Sequence, residues 1–302
     1  MIRAVSTTKT AEQFEAHRPL MFSIAYRILG SAMEAEDIIQ DAYVRYQAVS
    51  PDAVRSPRAF LSTVVTRLCL NQLESARSRR EVYIGPWLPE PVLTDAGVAM
   101  VSETGLPSPS HQVELRESIS IAFLLLLEQL TPVERAVFLL REVFDYEYSL
   151  IAEILEKDEA ACRQILSRAK KHILEHRPRF KSTPEEHRQL LGQFFEAVTI
   201  GELDGLMKLL SDDVTMWADG GGKVRGAATQ PLHGRAAVAQ FVLASTRFLA
   251  ADFHAEIAEV NGQPAAILRV SDKAVVIIAI EVHDGYVREI RVIGNPDKLG
   301  RV

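Results

Sequence analysis

The stretch LTPVERAVFLLREVFDYEYSLIAEILEKDEAACRQILSRAKKHI, residues 130–173, decides the reading of this chain. It opens on Thr131-Pro132-Val133-Glu134, a capping box with proline at the first helical position, which predicts a helix over 131–141. A short second helix follows over 149–156, with Leu150, Ile151, Ile154 and Leu155 spaced to face inward. Lys157-Asp158 then supplies a tight turn whose aspartate caps a third helix over 159–172. This is helix-turn-helix spacing. In the third helix Cys162, Ile165, Leu166, Ala169 and Ile173 share one stripe, leaving Ala160, Arg163, Gln164, Ser167, Arg168 and Lys171 on the opposite face. A helix that enters a DNA groove needs such a face, small near its start, polar in the middle and basic beyond. A solvated surface helix can carry the same pattern.

Upstream, the residues from Arg55 to Arg80 hold six arginines against one acid, Glu74, and those from Arg163 to Lys181 hold seven Lys and Arg against Glu175. The whole chain has 34 Lys+Arg and 40 Asp+Glu, a net charge of -6, so these are basic islands in an acidic chain. Phosphate attraction follows the local field, and two islands suggest two polyanion contacts. Ser56-Pro57 caps an amphipathic helix through Phe60, Leu61, Val64, Val65, Leu68 and Leu73, with Arg67, Asn71, Glu74 and Arg77 around the other side. It ends in Arg77-Ser78-Arg79-Arg80. Arg with Asn and Gln grips phosphates and reads base edges, although a helix C-terminus favours cations through its dipole as well. Before it, a capping box at Ser31 and Glu34 opens a helix over 34–47 whose Ala35, Ile38, Ile39, Ala42 and Tyr46 turn inward. Asp37, Gln40, Asp41 and Val44 turn outward, an acidic and partly apolar face suited to a basic amphipathic partner helix or to solvent.

A chain of 302 residues makes about two domains of roughly 150 each. With 47% apolar and 25% charged residues, and only 16 Gly and 14 Pro, it is neither collagenous nor low-complexity. The two cysteines, Cys69 and Cys162, stand too far apart for a zinc or thioredoxin motif, and buried reduced thiols are expected. No secretory-type apolar run precedes Phe14, and the apolar runs 121–127 and 274–280 are too short to span a bilayer. A cytoplasmic protein without membrane contact is therefore expected. Pro86, Pro89, Pro91, Pro107 and Pro109, with Gly85, Gly97 and Gly105, mark 83–110 as a linker between helical domains 1–82 and 111–181. A third domain, 182–302, begins at the capping box of Thr183 and Glu186. Its helices, expected at 185–199, 203–210 and 235–248, precede strands at 265–270, 274–282 and 287–293, with His283-Asp284-Gly285 as a hairpin turn. Helices first and an antiparallel sheet after mean a compact α+β domain. Asp219-Gly220-Gly221-Gly222-Lys223 reads as a loop with exposed N–H groups, without P-loop or Rossmann spacing.

The succession EAEDIIQDAYVRY (34–46), SPRAFLSTVVTRLCLNQLESARSRR (56–80) and the 130–173 stretch resembles the bacterial RNA polymerase sigma factors of the extracytoplasmic-function type. GPWLPEP (85–91), DGGGK (219–223) and NPDKL (295–299) look like marks of the subgroup with a SnoaL-like C-terminal extension. The resemblance implies a multidomain chain: two all-α sigma domains, a region 2 bundle and a region 4 helix-turn-helix, then a cone-shaped α+β domain. It implies core RNA polymerase (β′ and β subunits) and promoter DNA as partners, with Asp37, Gln40, Asp41 and Val44 docking on the β′ coiled coil. Arg58, Arg67, Asn71, Arg77, Arg79 and Arg80 would handle the minus-ten element, with a base-capture pocket near 54–58. Asn71 stands where relatives commonly carry aspartate, which leaves the minus-ten preference open. Ala160, Arg163, Gln164, Ser167, Arg168 and Lys171 would read the minus-thirty-five element. Trp87 and Pro89 of the linker would be gripped by Asp219, Gly220, Gly221, Gly222 and Lys223 together with Asn295, Pro296, Asp297, Lys298 and Leu299.

Relatives of the extension include ketosteroid isomerase and polyketide cyclases, whose chemistry needs a buried carboxylate base facing an enolate-stabilising acid. Asp213, Asp219, Asp252 and His254 are the candidates here, but sequence pairs none of them, and Tyr286 beside the hairpin is expected to face solvent. The expectation is a regulatory, non-catalytic domain without cofactor or metal, and an unknown small-molecule ligand of that domain stays open. Two alternatives remain: a cyclase-like or isomerase-like enzyme fused to a DNA-binding helical module, and a transcription factor that binds duplex DNA without polymerase.

Overall fold

The computed structural model describes residues 2–50, 53–80, 83–94, 117–176, 183–249 and 252–302, without the side chains of residues 2–9, 75–80 and 176. Two compact units emerge, one of Met1–Arg79 with Asp95–Arg177 and one of Arg80–Thr94 with Pro178–Val302. Residues 83–94, read from sequence as linker, thus belong with the C-terminal unit.

In the first unit α1 (Ile2–Leu29) turns at Gly30, whose φ of 69° suits the reversal, into α2 (Ala32–Gln47). Ser31 caps α2 by accepting from the Glu34 N–H at 3.2 Å. The third helix is α3 (Pro57–Arg80). After the undescribed stretch come α4 (Ile121–Glu128), α5 (Pro132–Phe138), α6 (Tyr148–Leu155) and α7 (Glu159–His176). The reciprocal capping box at Thr131 and Glu134 forms. The expected single helix over 131–141 does not: α5 gives way to a π-helical turn, Leu139–Val143. Five-residue closure there leads into Phe144 and Tyr146, which are both buried.

The helices of 2–80 and of 117–176 share one core, stitched by buried polar groups. Arg27 donates from Nε to Ser118 Oγ at 2.9 Å and lies 5.6 Å from the Phe144 ring centroid. Burial lowers its guanidinium to about 9, still charged at neutral pH. Arg135 donates to the Ile28 carbonyl at 2.7 Å and pairs with Glu128 at 3.1 Å. The Ser62 and Tyr146 hydroxyls meet at 2.7 Å. Cys69 and Cys162 are free and buried.

The second unit is α+β. Thr183 and Glu186 form the capping box of α8 (Pro184–Ile200), followed by α9 (Leu203–Leu209) and a six-stranded sheet in the order β2-β1-β6-β5-β4-β3. The strands are β1 (Leu210–Asp219), β2 (Leu232–His233), β3 (His254–Val260), β4 (Gln263–Val270), β5 (Lys273–His283) and β6 (Tyr286–Ile293). Between β2 and β3 runs α10 (Arg235–Ser245), continued by a 3-10 turn, Thr246–Phe248. The expected antiparallel sheet after the helices holds only in part: β1 and β2 precede α10, and β1 and β6 are parallel, while the remaining neighbours are antiparallel. Asp284 and Gly285, both with positive φ, make the two-residue turn between β5 and β6. Three strands escape the sequence reading. Leu210 starts β1 instead of ending a helix, Asp219 ends that strand instead of opening a loop, and the exposed face of β3 breaks its apolar pattern. Leu191, Phe194, Ala197, Val238 and Val242 of the helices pack against Met216, Ile280 and Ile290 of the sheet.

His187 on α8 is buried, and burial lowers its pKa to about 4, partly offset by a hydrogen bond to the Ile280 carbonyl. Its Nε2 is buried without a partner, so protonation there would add an unsatisfied N–H. Below the ordinary value of 6.5 the unfolded chain takes up a proton that the folded unit refuses until about 4. Stability held above pH 6.5 should therefore fall by roughly 3 kcal/mol on acidification through that window. Melting temperatures of the wild type and His187→Gln across the window check this. The wild type should lose more than the variant, and parallel curves would refute it.

Candidate functional site

Local helix geometry sets three outward faces in the first unit. On α2 the inward stripe Ala35, Ile38, Ile39, Ala42 and Tyr46 is buried, and Asp37, Gln40, Asp41 and Val44 are exposed. Val44 is 65% exposed, with Met33 also open on the same helix at 56%, so the acidic face carries apolar area.

On α7 the stripe Cys162, Ile165, Leu166, Ala169 and Ile173 is buried, while Ala160, Arg163, Gln164, Ser167, Arg168 and Lys171 are exposed. Asp158 Oδ1 accepts from the Ala161 N–H at 2.7 Å, and Glu156 takes the left-handed conformation that ends α6. The exposed cations differ in commitment. Arg163 pairs with Glu159 at 2.6 Å and sits 4.6 Å from the Tyr148 ring centroid, and Lys171 approaches Glu175 at 3.9 Å. Arg168 lines an open groove with Gln164 and residues of the α6–α7 turn.

The α3 residues fare differently. Asn71 is exposed, but Arg67 donates from Nε to the Ile154 carbonyl and from a terminal nitrogen to the Glu153 carbonyl, both at 2.9 Å, and pairs with Glu156 at 3.1 Å. A guanidinium at the C-terminal end of α6 adds donors to the last carbonyls of the helix and complements its dipole. Arg58 lies 5.2 Å from the Tyr146 ring centroid. Two of the cations assigned from sequence to one DNA element thus bind the helix-turn-helix segment. The side chains of Arg77, Arg79 and Arg80 lie outside the described residues.

In the second unit a buried carboxylate gathers the linker. Asp219 accepts from the Leu88 N–H at 2.8 Å, the Lys298 ammonium at 2.7 Å, the Gly221 N–H at 3.2 Å and the Tyr83 hydroxyl. Burial, then the bond to Asp219, raises the Tyr83 phenol. Asn295 donates from Nδ2 to the Tyr83 oxygen at 2.8 Å, and Lys298 also donates to the Leu88 carbonyl and lies 4.3 Å from the Trp87 ring centroid. Lys223 pairs with Asp297. Gly221 and Gly222 have φ of 57° and 71°, and a Cβ on Gly222 would come within 2.9 Å of Ile84. DGGGK and NPDKL therefore converge on Tyr83 to Leu88. Pro89 is buried beside them in sequence, while Pro296 is exposed and Leu299 is buried. A second grip escaped sequence reading. The Val92 N–H donates to Asn261 Oδ1 at 3.1 Å, the Asn261 N–H to the Val92 carbonyl at 2.9 Å, and the Gly262 N–H to Thr94 Oγ1 at 2.8 Å. Asn261-Gly262, legible as the turn between β3 and β4, was the available signal.

Of the four candidate catalytic groups, Asp219 lines a cavity of the second unit, with its carboxylate committed to the linker. Asp213, Asp252 and His254 are exposed. Asp213 pairs with Arg288, whose hydrogen bond lowers its carboxyl to about 2. Tyr286 is 47% exposed. No acid and base pair faces a common substrate position among these residues. Among the described residues no cluster of three metal-ligating side chains occurs, and no helix is long and apolar enough to cross a membrane.

Family models match in two places, Sigma-70 region 2 over residues 13–79 and Sigma-70, region 4 over residues 120–173. The ECF RNA polymerase sigma factor SigJ of Mycobacterium tuberculosis is 37% identical over 95% of this chain and 92% of its own length. The ferric citrate uptake sigma factor FecI of Escherichia coli is 27% identical over 56% of this chain and 93% of its own. Among solved structures, the crystal structure of Mycobacterium tuberculosis extracytoplasmic function sigma factor SigJ is similar at a TM-score of 0.69, with 32% identity over 95% of this chain and 97% of that one.

Proposed function

The chain belongs to the extracytoplasmic-function sigma factors, which act in transcription initiation by RNA polymerase, and from that premise we propose how its parts divide the work and how its SnoaL-like C-terminal domain governs it. The exposed face of α2 docks on core polymerase, its carboxylates steering a basic helix of β′ into register while Val44 supplies apolar contact, with β as a further partner. The outward face of α7 enters the major groove at the minus-thirty-five element. Arg58, Arg67 and Asn71, with the basic end of α3, engage the minus-ten element. The helical unit is therefore held closed, because Arg67 is bound to the carbonyl end of α6 and must leave it before it can meet DNA. The SnoaL-like domain is a non-catalytic regulator in cis, and the protein works in the cytoplasm.

The observation that carries the regulatory reading is the grip on residues 83–94 by Asp219, Asn261, Asn295 and Lys298. This segment is the direct continuation of α3, and holding it removes a dozen residues from the chain otherwise free to let the two DNA-reading segments separate. Promoter-dependent initiation by reconstituted polymerase is the test, with the full chain, a chain ending before Asn295, and a chain ending before Thr183. Activities that differ among the three support the regulation. Three equal activities would sink it, and no initiation above core enzyme would sink the promoter role itself.

Docking has its own expected outcome. Asp37→Lys with Asp41→Lys should weaken core binding at least tenfold, because two attractions become repulsions on a face that contributes nothing to the core. Melting temperature should be unchanged, and an unchanged core affinity would remove the assignment.

A further inference from the structure

The second unit holds a cavity of about 380 Å³ between α8, α10 and the sheet, within the range of sites that enclose small molecules. Its walls are apolar: Phe194 and Phe195 of α8, Phe241 of α10, and Met216, Ile278 and Ile290 of the sheet. The polar groups of the lining are spoken for or lie at its solvent-exposed side. Asp219 is committed to Tyr83, Leu88, Gly221 and Lys298. Ser245 and Thr246 donate to the carbonyls of Val242 and Leu243 at 2.7 Å each. Thr199 and Arg225 are exposed. A charge seated among the apolar walls would lose its hydration while Arg225 of the lining stays in solvent, whereas an apolar ligand gains the full benefit of leaving water.

The loop over this cavity is two-sided. Val224, Gly226 and Ala227 line the cavity, and Gly226, at φ 86°, lies so close to Phe248 that a Cβ would come within 2.5 Å of its ring. On the other side Gly222 packs on Ile84 of the linker, Gly221 bonds to Asp219, and Lys223 pairs with Asp297. Residues three apart in one tight loop therefore face the cavity and the linker.

We propose that this cavity binds a neutral, predominantly hydrocarbon or aromatic small molecule, and that the loop of residues 220–227 passes its occupancy to the linker. The proposal rests on the reading that the domain acts through the linker. A ligand packed on Val224 and Ala227 removes loop conformations that do not fit Ile84, so part of the ordering cost of the linker grip is already met. The coupling is reciprocal, and the gripped linker favours the ligand by the same factor.

The experiment uses the full chain carrying Trp217→Phe, which leaves Trp87 as its one tryptophan. The neutral fluorophore N-phenyl-1-naphthylamine should bind saturably and be displaced by trans-decalin, and the anionic 8-anilinonaphthalene-1-sulfonate should bind more weakly. Val276→Phe, placed on the cavity wall, should abolish binding. Ile278→Phe, with circular dichroism as the check on folding, serves if the first variant does not fold. Saturating decalin, which does not absorb where tryptophan emits, should reduce acrylamide quenching of Trp87 at least twofold. Absence of saturable binding, binding indifferent to both wall variants that fold, or tighter binding of the anionic probe would overturn the site. Binding without any change at Trp87 would overturn the coupling. None of these readings involves polymerase, so equal transcription from the full and truncated chains, which sinks the regulatory reading, is a separate result.

Discussion

Asp219→Ala is expected to destabilise the second unit by about 3–5 kcal/mol, because it takes away a carboxylate that the buried Lys298 ammonium pairs with, in a site where Asp219 is 1% exposed. The Leu88 N–H, the Tyr83 hydroxyl and the Gly221 N–H lose their acceptor in the same step. In a unit of this size such a loss lowers the melting transition by roughly 10 °C or more. Calorimetry of the full chain reads it, and Trp87 emission in a Trp217→Phe background should shift to the red as the linker leaves Lys298. Asp219→Ala combined with Lys298→Met should recover much of the stability, since removing both partners leaves no uncompensated charge, while the linker stays released. Wild-type melting and emission in the single variant would mean that the carboxylate does not hold the linker.

Arg168→Ala should reduce affinity for a promoter carrying its minus-thirty-five element by roughly 5- to 150-fold, about 1–3 kcal/mol, and relax the preference at one base pair. Arg163→Ala should cost less. Its guanidinium is already paired with Glu159 and stacked on Tyr148, so contact with a base must first replace those interactions. Lys171→Ala should lower the salt slope of binding by about one and spare sequence preference, as expected of a phosphate contact. Binding measured against promoter variants over a range of salt separates the three. Wild-type affinity in all of them would remove the recognition-helix assignment.

What the residues announce by local chemistry is found where it was announced. The capping boxes at Thr131 and Thr183, the cap at Asp158 and the hairpin turn at Asp284-Gly285 each satisfy backbone groups within a few residues of themselves, and no distant partner is needed. The buried stripes of α2 and α7 follow from a period of 3.6 for the same reason. The misses have a common cause as well. β1 opens on exposed Asp212 and Asp213 and then runs Met216-Trp217-Ala218 without a polar break, and β3 is mostly exposed, so neither shows a clean alternation of apolar and polar residues. The π turn after Phe138 looks like ordinary helix in any window that carries only apolar period.

The sequence by itself thus determined α2, α3, α6 and α7 of the first unit, the α+β class of the second, and the faces that α2 and α7 turn to solvent. It also singled out the two motifs that converge on the linker, through a family resemblance. Only the tertiary structure decided what those groups bind. Asp219 meets Leu88 across 131 positions of chain and Asn295 meets Tyr83 across 212, and Arg67, one of the cations that the family resemblance assigns to DNA, finds the last carbonyls of α6 86 and 87 positions away. A buried charge must find a partner within hydrogen-bonding reach, but nothing in its neighbours along the chain says which of many suitable groups the fold will bring there.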